Sequence, residues 1–158
     1  MDLTTRNIIL EKIPYGLYVV GSKAPDGFAT IVANWVSQVS FSPTLLSVSI
    51  EEDSDMKSYI ELSNYFSVNM LSKESIQVAK AFLKKSVSNG TSINGHDVTL
   101  TTHGSPYLTH ALASLECKIV NSIVVGDHVL FLGEIVEAVS QGAGKILTLE
   151  ETGWKYSR

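Results

Sequence analysis

Two long alternating apolar runs separated by only two residues limit what this chain can become more than any other feature. They read ASLECKIVNSIVV, then Gly126-Asp127, then HVLFLGEIVEAV. β-Branched and aromatic residues at a period of two specify strands, and a two-residue Gly-X link suits a type II′ turn, whose first position needs positive φ. The chain therefore contains a long antiparallel hairpin, with Leu115, Cys117, Ile119, Asn121 and Ile123 sharing one face.

The first half carries the same kind of signal. Residues 13–21, IPYGLYVVG, read as a strand, and Pro25-Asp26-Gly27 turns it into a second, because Pro presets φ and Gly accepts φ > 0. That second strand is expected to run on until Ser42-Pro43, where Pro removes a ladder donor, and a further strand covers residues 44–50. An acidic stretch, Glu51-Glu52-Asp53-Ser54-Asp55, then precedes MKSYIELS, so Ser54 or Asp53 is expected to cap a short helix. Residues 65–71 return as a strand, Ser72 caps a second helix with Ile76, Ala79, Phe82 and Leu83 at helical spacing, and residues 87–95 form a mobile loop. A short strand is expected over residues 98–102, broken by Gly104-Ser105-Pro106, and KILTLE reads as a last strand.

These elements amount to roughly seven or eight strands and two or three helical excursions, with strands joined by turns. A parallel doubly wound sheet needs a helix after nearly every strand, so the chain is expected to be a mostly β, antiparallel barrel. A length of 158 residues suits one domain, spanning 1–158. Hydrophobic residues at 44% and charged residues at 18% are far from the disordered regime. The net charge of −4 and the lack of any basic tract argue against nucleic acid as a partner. No cationic start with an apolar run and cleavage site, and no stretch of about 18 apolar residues, is present, so no membrane partner and a cytoplasmic location are expected.

Several kinds of chemistry lack their motifs. There is no G-x-G-x-x-G after a strand, Gly142-x-Gly144-Lys145 lacks P-loop spacing, and no G-x-S-x-G elbow occurs. Cys117 is the only cysteine, which excludes an internal disulfide, a CxxC pair and a cysteine-held cluster. His96, His103 and His110 fall seven apart, but Gly95, Gly104 and Pro106 forbid one helix through them and no acidic or thiol ligand stands at spacing, so no metal is expected.

Residues 27–50 offer a different possibility. At a period of two, Thr30, Asn34 and Gln38 form a polar ladder, successive members about 13 Å apart, to which a flat polar cofactor could bind. A strand with water on that side would look the same. This segment with its Ser42-Pro43 break, the Gly126-Asp127-His128 hairpin and the end Thr152-Gly153-Trp154-Lys155-Tyr156 together resemble the flavin reductase-like family. Members of that family have the FMN-binding split-barrel fold. They include small reductases of two-component monooxygenases, flavoredoxin, and modules fused to rubredoxin or diflavin proteins.

The resemblance implies an NAD(P)H-dependent flavin reductase with FMN as cofactor and NADH or NADPH as co-substrate. It implies that electrons or reduced flavin pass to an acceptor, or else that the chain is a flavoredoxin-like carrier reduced by a redox protein partner. It places His128 at the flavin on the nicotinamide side, although by itself His128 could be a hairpin residue facing water. Trp35 alone reads as core, whereas the family pattern runs the backbone of Asn34, Trp35, Val36 and Ser37 along the polar edge of the ring, with Ile50 near the end of the adjoining strand. The FMN phosphate wants helix N–H groups, hydroxyls and a cation, which Ser54 and Lys57 supply. Against this stand Glu51, Glu52, Asp53 and Asp55, and Ser54-Asp55-Met56 replaces the Ser-x-Thr common in relatives. The tail is expected to fold back near the flavin, with Trp154 close by and Lys155 a second cation for the phosphate. A homodimer is expected to cover the half-exposed ring, dividing Ile119, Ile123, Leu130 and Leu132 between core and partner.

Overall fold

The computed structural model describes residues 1–155; Tyr156, expected in the aromatic tail, lies outside the described residues. Ten strands and four α-helices occur among them, with one 3₁₀ turn. In chain order these are α1 (Leu3–Leu10), β1 (Tyr18–Ala24), β2 (Gly27–Ala33), β3 (Val36–Phe41), β4 (Thr44–Glu51), α2 (Asp55–Ser63) and β5 (Tyr65–Met70). After the 3₁₀ turn come α3 (Ile76–Ala81), β6 (Ser92–Ile93), β7 (His96–Leu100), β8 (Pro106–Leu108), β9 (Ala113–Val125), β10 (His128–Ser140) and α4 (Leu149–Thr152).

Seven strands form one antiparallel sheet in the order β2-β1-β5-β9-β10-β4-β3, and β6-β7-β8 form a smaller one. The long hairpin is as expected: β9 and β10 pair along their length, and of the two link residues only Gly126, at φ 66°, has positive φ, as a type II′ turn requires.

The single long strand expected up to Ser42 is two strands. β2 pairs with β1, whereas β3 pairs with β4, and the chain changes partner at Asn34-Trp35. Alternation of residue type continues across such a link, so periodicity alone does not reveal the change. The two strands lie at opposite edges of the sheet. Three peptide units, Ala33 to Val36, span at most about 11 Å, so the sheet must curl until its edges nearly meet at that end. The outcome is the expected mostly β split barrel, which is open along one side.

Inside the curl lies one core of Val20, Ala29, Leu46, Val48, Ile50, Phe66, Val68, Cys117, Val129 and Phe131, into which α2 packs Met56 and Ile60. Outside β1 and β2 lies a second, with Leu17, Val19, Phe28, Leu71, Ala79, Phe82, Ile93, Leu108 and Leu147. α3, the small sheet and the C-terminal segment cover that face. β2 is thus buried on both sides, and Thr30 is buried with it instead of standing on a wet polar face.

Other expectations need correction. Residues 87–95 are a hairpin, not a mobile loop: β6 and β7 are joined by Asn94-Gly95, both at positive φ (49° and 82°), the signature of a type I′ turn. KILTLE is not a strand, because Thr148 and Glu151 form a capping box that starts α4 and leaves only isolated bridges before it. α1 was not expected; Asp2 caps it by accepting from the N–H groups of Thr4 and Thr5. No helix among the described residues is long and apolar enough to cross a membrane.

Candidate functional site

Where the two sheet edges diverge they leave a cleft of about 680 Å³. Its walls are β2 and the Asn34-Trp35 link on one side and the end of β4 with the start of α2 on the other; the segment after α3 closes one end, and His128 lines it as well. Small and apolar residues, among them Ala29, Ile31, Ala33, Ile50 and Met56, give it a smooth lining, and Tyr59 adds an aromatic ring.

Asn34 is the informative polar residue. It is 7% exposed, and its Nδ2 has no hydrogen-bond partner. A buried amide donor left unpaired costs about 1–3 kcal/mol, so the position asks for an acceptor that the chain does not supply.

His128 opens β10 opposite Glu51 of β4 and is 6% exposed. Its Nδ1 lies 2.7 Å from Oδ1 of Asp127. A carboxylate only accepts, so Nδ1 carries the hydrogen and Nε2 is the nitrogen left for a ligand. The ring of Trp35 leans on it, with centroids 4.8 Å apart and planes at 49°. Trp35 is 36% exposed and so is not core; a main-chain bond from Ser49 N to its carbonyl, at 3.1 Å, ties the link to β4.

The cleft lining carries charge of both signs. Asp26, Glu51 and Asp55 line the cleft together with Lys84, Lys85, Ser86 and Ser88, and Asp26 adjoins Gly27, whose position is close to the Ser88 hydroxyl. Ser54 also lines it, but its hydroxyl caps α2, accepting from Lys57 N at 3.2 Å and donating to the Glu51 carbonyl at 2.9 Å. The arrangement suits a flat molecule that accepts a hydrogen bond from Asn34, meets His128 at one place and carries an anionic group elsewhere.

Of the residues singled out in the sequence, the cleft gathers Thr30, Asn34, Trp35, Ile50, Ser54 and His128. Val36, Ser37, Gln38 and Lys57 are not among its lining residues. Gln38 is exposed on β3 with Nε2 bonded to the Ser40 carbonyl, so Thr30, Asn34 and Gln38 make no continuous ladder. Lys57 pairs with Glu61 at 3.0 Å along α2. Trp154 and Lys155 line a neighbouring groove of about 530 Å³, which meets the cleft at Trp35. Lys84, Lys85, Ser86, Ser88 and Tyr59 were missed; the only signal was a Lys-Lys-Ser run in an otherwise acidic chain.

The three evenly spaced histidines have separate surroundings. His103 stacks on Tyr65 with centroids 3.9 Å apart and meets the buried Glu116 at 2.9 Å, and Thr101 donates to the same carboxylate. His96 rests on Phe82, and His110 is exposed.

Known proteins agree with this geometry. Residues 10–152 match the family described as "Flavin reductase like domain". A ferric-chelate reductase (NAD(P)H) of Archaeoglobus fulgidus is 31% identical over 139 residues, covering 87% of this chain and 82% of that protein. Diflavin flavoprotein A 1 of Synechocystis is 30% identical over 127 residues, covering 80% of this chain but 22% of its own length, so the chain spans about a fifth of the diflavin proteins it matches. Among solved structures, the NADH:FAD oxidoreductase SgcE6 of Streptomyces globisporus superposes with a TM-score of 0.80 at 25% identity, covering 94% of this chain and 88% of that one. With the split barrel, the cleft at its opening and a match over residues 10–152, this chain belongs to the flavin reductase-like family.

Proposed function

We propose that the chain binds FMN in the cleft and lets NADH or NADPH reduce it, electrons or reduced flavin then passing to an acceptor. The observation that carries this reading is the buried, unpartnered Asn34 amide in a cleft of about 680 Å³, a size within the usual range for organic ligands. An isoalloxazine suits the residues present. Its carbonyl oxygens accept from an amide such as that of Asn34, its rings pack on small apolar side chains, and a phosphate would be drawn to Lys84 and Lys85.

A bound flavin supplies the redox chemistry by exchanging hydride with the nicotinamide. The protein's share is to bind, orient and exclude water. In this reading Asp127 fixes the tautomer of His128, and Nε2 of His128 orients the nicotinamide or hydrogen-bonds the ring. Trp35 buttresses His128, while Thr30, Ile50 and Ser54 shape the walls. The names of the Archaeoglobus and Streptomyces relatives, both reductases of the nicotinamide-dependent kind, support the same activity. Purified protein should be yellow or quench the fluorescence of added FMN, and should oxidise NADH faster with FMN than without. A colourless protein indifferent to FMN would sink the proposal.

A second reading, the electron carrier, is favoured by one observation: a segment like this chain stands within a diflavin flavoprotein several times longer. Negligible NAD(P)H turnover together with rapid reduction by a ferredoxin or rubredoxin would select it. A monooxygenase fed with reduced flavin is the partner that the first reading implies.

The same reading extends to assembly as a homodimer. Val120, Ile123, Val124 and Val125 are exposed on the half of β9 next to the hairpin turn, Val136 is exposed on β10 towards the other end, and Val39 and Phe41 are exposed on β3. Past Lys118, β9 has no β5 partner, so its edge is open there. A second copy covering this apolar surface would also cover a ligand at the split.

A further inference from the structure

We infer that Ser86 is a positioning residue: its hydroxyl clips the Lys84–Lys85 segment to the edge of β2, making the two lysines a fixed arm for the phosphate of the ligand. This rests on the flavin reading above and adds to it how the two lysines are held in place and which residue holds them.

After α3 the chain tightens, with Phe82 N bonded to the Ala79 carbonyl at 3.1 Å and Leu83 N to the Lys80 carbonyl at 3.3 Å. It then crosses to the outer edge of the seven-stranded sheet. β2 is an edge strand, so residues along it expose main-chain donors and acceptors that no strand satisfies. At Thr30 one side chain takes the place of a strand: Ser86 Oγ accepts from Thr30 N and donates to the Thr30 carbonyl, both at 2.9 Å.

Asn94 anchors the same segment on either side of the lysines. Its Nδ2 donates to the Ala81 carbonyl at 2.9 Å, and its Oδ1 accepts from Val87 N at 2.9 Å. The left-handed φ of 49° that Asn94 needs for the type I′ turn thus also serves this attachment. Fixed at Ala81, Thr30 and Val87, the segment carries Lys84 and Lys85 exposed along the cleft, and among the described residues neither forms an ion pair. Two unpaired cations on a short tethered segment lose less freedom on meeting an anion than two on a loose loop. Lys84 and Lys85 are the cationic members of a lining that also holds Asp26, Glu51 and Asp55, so an anionic group in the cleft is drawn to them.

FMN and riboflavin differ by the phosphate alone, so titrating both by fluorescence quenching isolates the arm. Wild type is expected to bind FMN at least tenfold more tightly than riboflavin at low salt. Ser86→Ala should weaken FMN about tenfold, the loss of roughly one charge-assisted contact, while riboflavin moves by less than about twofold, and Ser86→Thr should restore the preference. Because Ser86→Ala also removes two hydrogen bonds and could loosen the fold, the exposed pair Lys84→Ala with Lys85→Ala provides an independent arm, in which the FMN preference should collapse with the melting temperature unchanged. Equal weakening of both flavins by Ser86→Ala, or an undiminished FMN preference in either variant, overturns the inference. A wild type that binds both flavins equally overturns it too, and one that binds neither overturns the flavin reading itself.

Discussion

Asp127 holds His128 through a 2.7 Å contact across adjacent residues of one turn, so the loop that closes the long hairpin also engages Nδ1 of the imidazole. Asp127→Asn keeps an acceptor but removes its charge. We expect turnover of NADH to fall about tenfold and His128→Ala to lower it further, with FMN affinity changed much less, as steady-state kinetics beside an FMN titration will reveal. Equal losses in affinity and turnover would put His128 among the residues that hold the ring.

Asn34 should behave in opposite ways in the empty and loaded protein. Its Nδ2 has no partner, so Asn34→Ala removes an unsatisfied group and should leave the flavin-stripped fold as stable or up to about 1 kcal/mol more so. Flavin affinity should fall by about tenfold. Chemical denaturation with and without FMN measures both, and destabilisation of the stripped protein would mean that the amide is structural.

Gly133 of β10 has no room for a side chain. A Cβ there would stand 2.6 Å from the Phe66 ring and 2.7 Å from Cys117 Cβ, both buried in the inner core. Gly133→Ala should therefore destabilise by about 1–3 kcal/mol, read as a lower denaturant midpoint, because packed core atoms must move.

Alkali should weaken the fold through the core. Burial, aided by the charge of Glu116, pushes the Cys117 thiol from an ordinary 9.0 up to about 12. Above pH 9 the unfolded chain sheds a proton that the folded chain keeps, so stability falls as pH rises from 9 towards 12. Tyr107, raised by burial and by Glu137 and Glu116, and Tyr18, raised by burial, act in the same direction. Cys117→Ala should make the decline from pH 9 towards 12 shallower, and the native thiol should resist alkylation until the protein unfolds. An identical slope in the variant would remove Cys117 from the account.

A homodimer predicts a mass of about 34 kDa by light scattering, twice the 17.2 kDa of one chain. An interface above about 2,000 Å² is expected for an obligate pair. Val124→Glu, on the exposed half of β9, should shift the mass to that of one chain. A wild type that is already monomeric with FMN bound would show the cleft to be complete in a single copy.

Local chemistry made some of this fold readable in advance. Gly126-Asp127 set the register of β9 against β10, Pro25-Asp26 turned β1 into β2, and Ser54 capped α2, each because a turn or cap depends on two to four neighbouring residues. What escaped notice depended on choices between competing local signals or on distant partners. Thr148 and Glu151 favoured a cap over the apolar alternation of KILTLE, and Asn94-Gly95 made a hairpin of a stretch whose composition suggests a loop. Within the cleft, Asn34 and His128 were singled out in the sequence, Asn34 as a rung of a polar alternation and His128 at the Gly-Asp-His turn. Ser86 was not, since a serine on a lysine-rich segment says nothing of an edge strand 56 positions away.

Sequence neighbours β2 and β3 end at opposite margins of the sheet, and this bears on when the site can form. Strands β2-β1-β5 and β4-β3 are two separate pieces, and only β9 and β10, from the last third of the chain, lie between them. Until that hairpin has been synthesised and inserted, the walls that Asn34 and Ile50 occupy are joined only by the Asn34-Trp35 link, its bond to Ser49 and the packing of α2, and the sheet between them is incomplete. Contacts of such long sequence separation are slow to form, so cofactor capture should be among the last events of folding, after the ribosome has released most of the chain.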